Sequence, residues 1–292
     1  MRYWIRHTTT YRYDRPVTLA PHWIRLRPRS DVTQVLHDFS LTVEPAPERV
    51  AENLDLEGNS VIKLTFPNDT LEEFKLTAVS EVETFRTNPF DFLLEPWASR
   101  LPIDYPISLH RQLQPYLQTS AAGLPAIDAI ALQLANDLWL QTEGNPVLFL
   151  SELNQQIHAN CCHIIRATGE PFPPGITWSK EAGSCRDLTV LFMEVCRALG
   201  LAARFVSGYQ EADAGNDPEL HAWAEVYLPG AGWRGYDPTQ NAAVGDRYIA
   251  LVASSFYRDA APISGTLKTG IGAASEMHNT LEIEARDESA GN

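Results

Sequence analysis

Between Gly183 and Gly200 the chain reads GSCRDLTVLFMEVCRALG, and this stretch constrains the fold more than any other. Leu188, Leu191, Phe192, Val195, Cys196 and Leu199 recur at i, i+3, i+4, i+7, i+8 and i+11, the stripe of a helix laid on a core. Ser184 is a favoured N-cap, and Asp187 three residues on makes an acidic variant of the capping box. Gly200 supplies the left-handed stop. Cys185 therefore falls at the first helical position, where unpaired N–H groups and the helix dipole favour a thiolate. Cys196 lies on the apolar stripe and reads as a small core hydrophobe.

A thiolate becomes a nucleophile when a base stands beside it. Leu220–Leu228 alternates as a strand, with His221, Trp223, Glu225 and Tyr227 on one face. Residues 229–232 are a turn, and Trp233–Asp237 is a return strand ended by Pro238. With Tyr227 paired to Trp233, Asp237 sits diagonally from His221 on that face. Such neighbours lie roughly 7–8 Å apart at Cα, within reach of their side chains. The order is cysteine at a helix start, histidine on a strand, aspartate at the end of the next, the thiol form of nucleophile, base and orienter.

The segments 183–210, 220–241 and 55–61 (DLEGNSV) together resemble the bacterial transglutaminase-like cysteine enzymes. The resemblance implies that Cys185, His221 and Asp237 form a catalytic triad. It also implies an α+β fold, a papain/transglutaminase-like core preceded by an antiparallel β-sandwich-like N-terminal domain. Many relatives carry an aromatic residue near Cys162 and His163, so the groove of this chain is expected to differ there.

At 292 residues the chain has room for two domains, and we expect 1–100 as the N-terminal β domain and 101–292 as the catalytic domain. The net charge of −14 argues against a nucleic-acid or anionic-membrane partner. A peptide or protein substrate is the expected partner, and no cofactor is implied. The first twenty residues lack an apolar signal region, and no run reaches the ~20 apolar residues of a membrane span. A cytoplasmic location is the default expectation, and four cysteines, two of them adjacent, do not make a disulfide framework.

Along the N-terminal region, strands are expected at 2–13, 21–27, 38–44, 50–56, 60–66 and 75–84, with a hairpin turn at 56–59. Arg25 and Arg27 read first as a solvated sheet face, second as a contact with substrate or the catalytic core. The Pro-rich stretch 88–106 marks the boundary. Helices are expected at 108–117, 126–141 and 146–159, and a loop at 170–177. Strands follow at 201–210, 246–254 and 277–285, the last two in the catalytic sheet, with a polar hinge at 211–219 between and a disordered tail from 286.

His158, Cys161, Cys162 and His163 form a cluster, but its spacing is not that of a zinc site, so no metal is expected. Trp178 is a candidate wall of the substrate groove, or a core or turn residue. Trp223 either shields the imidazole of His221 or simply packs. Candidate oxyanion donors are the Cys185 N–H with Gln155, Asn160 or Trp178. An acyl thioester passed to water makes a peptidase or amidase, and passed to an amine makes a transglutaminase. With no calcium loop to gate crosslinking, hydrolysis is favoured. A catalytically silent peptide-binding module is the rival from another class.

Overall fold

The computed structural model describes residues 1–117, 127–166, 168–212, 218–270 and 272–286. The expected helix start at Ala126, the middle of the 211–219 hinge and the tail from 287 onward lie outside the described residues.

The chain opens with β1 (Arg2–Ile24), a strand long enough to serve two layers. Residues 2–12 pair with β5 (Leu71–Thr84), outside which lies β2 (Gln34–Glu44). Register shifts between Arg12 and Val17, around Pro16, and the second half of β1 pairs with β4 (Ser60–Thr65), outside which lies β3 (Arg49–Leu54). The sequence reads these halves as separate strands because prolines interrupt the alternation. Between the layers, His22, Phe66 and Phe74 meet edge to face, and Tyr11 stacks on Phe74.

The helical part follows: α1 (Ile107–Leu117), α2 (Ala129–Gln141), capped by Asp128, and α3 (Pro146–Asn160), capped by Asn145 with Pro146 in its first turn. The short β6 (Cys162–His163) pairs in parallel with β7 (Ala182–Gly183). Between them α4 (Pro174–Lys180) occupies part of the segment read as a loop. Its prolines sit at the first turn, where a missing N–H costs nothing. Next come α5 (Cys185–Ala198) and the strands β8 (Ala203–Gln210), β9 (Leu220–Leu228), β10 (Gly232–Asp237), β11 (Ala242–Ala243) and β12 (Tyr248–Ser254). These form an antiparallel sheet of order β11-β10-β9-β8-β12, with α5 laid across it. Leu188, Leu191, Phe192, Val195 and Cys196 are all buried in that contact. Full burial of each larger side chain is worth roughly 1.5–3 kcal/mol.

The last two strands correct the sequence reading. β13 (Ile263–Thr269) and β14 (Ser275–Arg286) leave the catalytic sheet and pair antiparallel with β1, β14 over residues 2–13 and β13 over 18–24. The N-terminal sheet thus draws on both ends of the chain, and a single cut at residue 100 leaves 263–286 apart from the strands they pair with. The alternation of LEIEA identifies a strand but not its sheet.

Side-chain amides join the two sheets. Strand β12 is an edge, and its outer main-chain groups are met by Gln34 at Ala250 (N–H to Oε1 2.8 Å, Nε2 to O 2.9 Å) and by Asn59 at Ala253 (3.0 and 2.8 Å). Arg25 donates to the Ala261 carbonyl and to Ser264 of the neighbouring β13, while Arg27 pairs with Glu52 of β3. One contiguous apolar core runs from Tyr3 and Phe74 to Phe192 and Phe205. Among the described residues no helix is long and apolar enough to cross a membrane.

Candidate active site

The start of α5 is fixed by a buried carboxylate. Asp187 has no solvent exposure and accepts the Ser184 N–H (2.6 Å) and hydroxyl (2.7 Å) on Oδ2. The Arg166 guanidinium reaches both its oxygens at 2.6 Å, and the Phe172 N–H donates to Oδ1 at 2.7 Å. Burial pushes this carboxyl up, but Arg166, Phe172 and Ser184 together hold it below the usual carboxylate range. Arg186 donates to the Gly169 and Arg166 carbonyls, so the residue after Cys185 grips the same loop. Cys185 is therefore presented from a helix turn braced on two sides. Its side chain is half-buried.

The hairpin of β9 and β10 has the register its sequence predicts, with Tyr227 opposite Trp233 and Tyr236 opposite Ala224. That register brings His221 and Asp237 together, Nε2 to Oδ2 at 2.8 Å. The Tyr248 hydroxyl donates to the same Oδ2 (2.9 Å), and the Thr239 N–H donates to Oδ1 (2.9 Å). With Nε2 engaged, Nδ1 is the ring nitrogen left over, and His221 and Cys185 line one cleft. Trp223 does not border the sulfur. It is buried, edge-on to Tyr248 with ring centres 5.4 Å apart, in a small cluster with Val206, Val244 and Ala253. Gly208 makes room for it: a Cβ there would lie 2.5 Å from the indole and 2.2 Å from the Ile249 carbonyl.

These contacts set the charges. Burial raises the Cys185 thiol, but hydrogen bonds from His163 and His221, and their charges, bring it down from 9.0 to about 6. Burial lowers His221, yet the charge and hydrogen bond of Asp237, followed by Cys185, raise it from 6.5 to about 10. Burial also raises Asp237, whose charge interaction and hydrogen bond with His221 outweigh it and hold the acid below its ordinary value. At neutral pH the favoured state is a thiolate–imidazolium pair with a carboxylate behind it.

Residues 3–83 match the family model of the bacterial transglutaminase-like N-terminal region, and residues 133–238 match that of the transglutaminase-like superfamily. An uncharacterized protein of Mycobacterium tuberculosis is 30% identical over 285 residues, covering 92% of this chain and 88% of its own. The chain belongs to the transglutaminase-like superfamily. A Mycobacterium leprae relative is 26% identical over 95% of this chain and 96% of its own. A Pseudomonas aeruginosa protein-glutamine gamma-glutamyltransferase is 30% identical over 44% of this chain and 20% of its own. The transglutaminase-like fold is shared with a candidate cysteine protease of Cytophaga hutchinsonii (TM-score 0.72, 22% identity, 98% of this chain and 92% of that one).

In this transglutaminase-like chain the cleft at Cys185 and His221 has a volume of about 660 Å³ and lies between the two sheets. His7, Thr9 and Tyr11 of β1 and Met277, Asn279 and Leu281 of β14 make one wall. His7 is buried there, hydrogen-bonded to the Tyr209 hydroxyl (3.0 Å) and to Thr9 (3.1 Å), and burial lowers it to about 4. Trp178, a candidate wall, is half-buried on α4 against the core and is not among the cleft residues. The Cys161–His163 region disperses: Cys161 is buried with its thiol pushed up to about 11 by burial, Cys162 is exposed, and His158 bonds the Thr239 carbonyl. Sequence reasoning missed Tyr248 and Arg166. Arg166 and Tyr248 carry no local signal, since each reaches the site across many residues of chain.

Proposed function

We propose that the protein is a thiol hydrolase of peptide or isopeptide amides. Cys185 is the nucleophile, His221 the proton donor and Asp237 its orienter. The observation that carries this reading is His221, held by Asp237 at 2.8 Å, lining one cleft with Cys185 at the first turn of α5. The thiolate attacks the amide carbonyl, and His221 protonates the departing amine, leaving an acyl thioester for water to resolve. Asp237, fixed by Tyr248 and Thr239, stabilises the imidazolium between these steps.

Water suits this cleft as the acceptor, because Cys185 is only half-exposed and His221 is 8% exposed. A lysine carried by another protein would have to be threaded between the sheets, where water needs no such passage. Trp223 supports the orienter from behind rather than binding substrate, and Trp178 holds α4 against the core. The four cysteines are free, which suits a reducing cytoplasm.

Amine transfer is the second reading, favoured by the gamma-glutamyltransferase among the relatives. Incubating the protein with a peptide-amide library, with and without a small primary amine, separates the two by product mass. Hydrolysed peptide in both incubations supports the hydrolase; product only when amine is present supports the transferase. Binding without conversion, and no thiol-probe labelling that depends on Cys185, would leave a silent peptide-binding module.

A further inference from the structure

Three threonines follow one another at 8–10, and they do not share a fate. Thr8 bonds Thr77 on the opposite face of the sheet (3.2 Å). Thr9 lines the cleft with His7 and Tyr11, as the alternation of a strand requires, and is only 2% exposed. Beneath it a chain of hydrogen bonds ties the two sheets together. The Tyr209 hydroxyl meets Nδ1 of His7 at 3.0 Å, and Nε2 of His7 meets Oγ1 of Thr9 at 3.1 Å.

The deepest member of that chain decides its direction. The Tyr209 hydroxyl is buried, and among the described residues His7 is its only partner. Were His7 the donor, the phenol proton would be sealed in the core with no acceptor, a cost that the opposite direction avoids. Tyr209 therefore donates to Nδ1. A neutral imidazole has a single N–H, and burial keeps this ring neutral by lowering it to about 4. Nε2 thus carries the hydrogen and donates to Thr9, which accepts. The Thr9 proton is left over, and among the described residues no protein acceptor is within its reach. A buried hydroxyl on the cleft wall is thereby fixed as a donor.

The next strand supplies the complement. Asn279 of β14 stands opposite Thr9 in register, is exposed, and lines the same cleft. The Cβ atoms of such a cross-strand pair lie roughly 4.5–5.5 Å apart. Leu281, opposite His7, and Met277, opposite Tyr11, flank the pair with apolar groups. One residue of an extended chain presents its C=O and its N–H on the same side, and so asks for a donor and an acceptor next to each other.

Resting on the reading of this cleft as the place where amides are cleaved, we propose that Thr9 and Asn279 form a subsite for one residue of an extended peptide. Thr9 donates to its carbonyl and the Asn279 side-chain oxygen accepts its N–H, while the apolar neighbours take the flanking side chains. The substrate is then a peptide that continues past the scissile bond onto the N-terminal sheet. A small amide lacks what this wall recognises.

The test uses the full chain and compares wild type with Thr9→Val, Thr9→Ser, Asn279→Ala and Cys185→Ser. Two substrates are followed: the member of a peptide-amide library that wild type converts fastest, and para-nitrophenyl acetate, which carries no peptide unit. The quantity read is the ratio of kcat/KM on the peptide to kcat/KM on the ester, in which a general loss of active enzyme cancels. Thr9→Val keeps the shape and removes the donor, and should lower that ratio about tenfold; Asn279→Ala should lower it about threefold. Thr9→Ser, which keeps the hydroxyl, should restore it. An unchanged ratio in Thr9→Val overturns the subsite and leaves the nucleophile standing. Ester turnover that depends on Cys185 with no peptide converted overturns the peptide as substrate class. Equal ester turnover by wild type and Cys185→Ser removes the nucleophile, and the subsite falls with it.

Discussion

Cys185 and Cys196 stand on the same helix, and nothing about the side chain itself tells them apart. At the first turn, two imidazoles overcome burial and bring the thiol to about 6. On the core face, burial dominates and drives the thiol well above 9.0, with Arg197 opposing it only weakly. The contrast shows that reactivity belongs to the surroundings of a sulfur. A helix can hold an inert thiol and a charged one if its start and its buried face are built differently.

Substitutions at the two ends should break this contrast in graded steps. Cys185→Ala should abolish amide turnover and all active-site labelling by iodoacetamide, read by intact-protein mass, while Cys196→Ala labels as wild type does. Asp237→Asn should lower kcat by about 10³–10⁴-fold with the fold intact, since the imidazole loses its orienter and its counter-charge. Wild-type turnover against pH should rise as the thiolate forms near 6 and fall as His221 loses its proton near 10. In Asp237→Asn the alkaline limb should move to lower pH, because the Asp237 charge is what raises His221. A limb that stays in place would detach the acid from the imidazole. Asp187→Asn should cost roughly 3 kcal/mol in chemical denaturation, as Arg166 loses its buried counter-charge. Cys196→Ala should cost only about 1 kcal/mol by the same measurement, the loss of one small buried group.

The nucleophile helix was legible because its cap, stripe and stop are all local: Ser184, Leu188 to Cys196 and Gly200 need no partner to be read. The His221–Asp237 pairing was legible because a short turn fixes the register of a hairpin. What escaped was non-local. Met277–Ala285 alternates correctly, yet its partner is residues 3–11, more than 260 residues away, and no periodicity encodes that choice. Tyr248 reaches Asp237 from an edge strand, and Arg166 reaches Asp187 from a loop, each through tertiary placement alone. His163 was visible only as part of a cysteine–histidine cluster, and its strand pairing in register with Gly183, twenty residues on, has no local signal. Trp223 was placed correctly on the face of His221, but Gly208 opposite leaves a space that its ring fills behind Asp237 and Tyr248.

The amides of Gln34 and Asn59 along β12 have a consequence for how this chain can be divided. Excised from its N-terminal partner, the thiol-bearing half would bare the peptide groups of Ala250 and Ala253 to solvent, a template on which any passing extended segment could add itself. The β region thus guards its neighbour against unwanted self-association, and the two halves are one inheritance that truncation would turn into an aggregate.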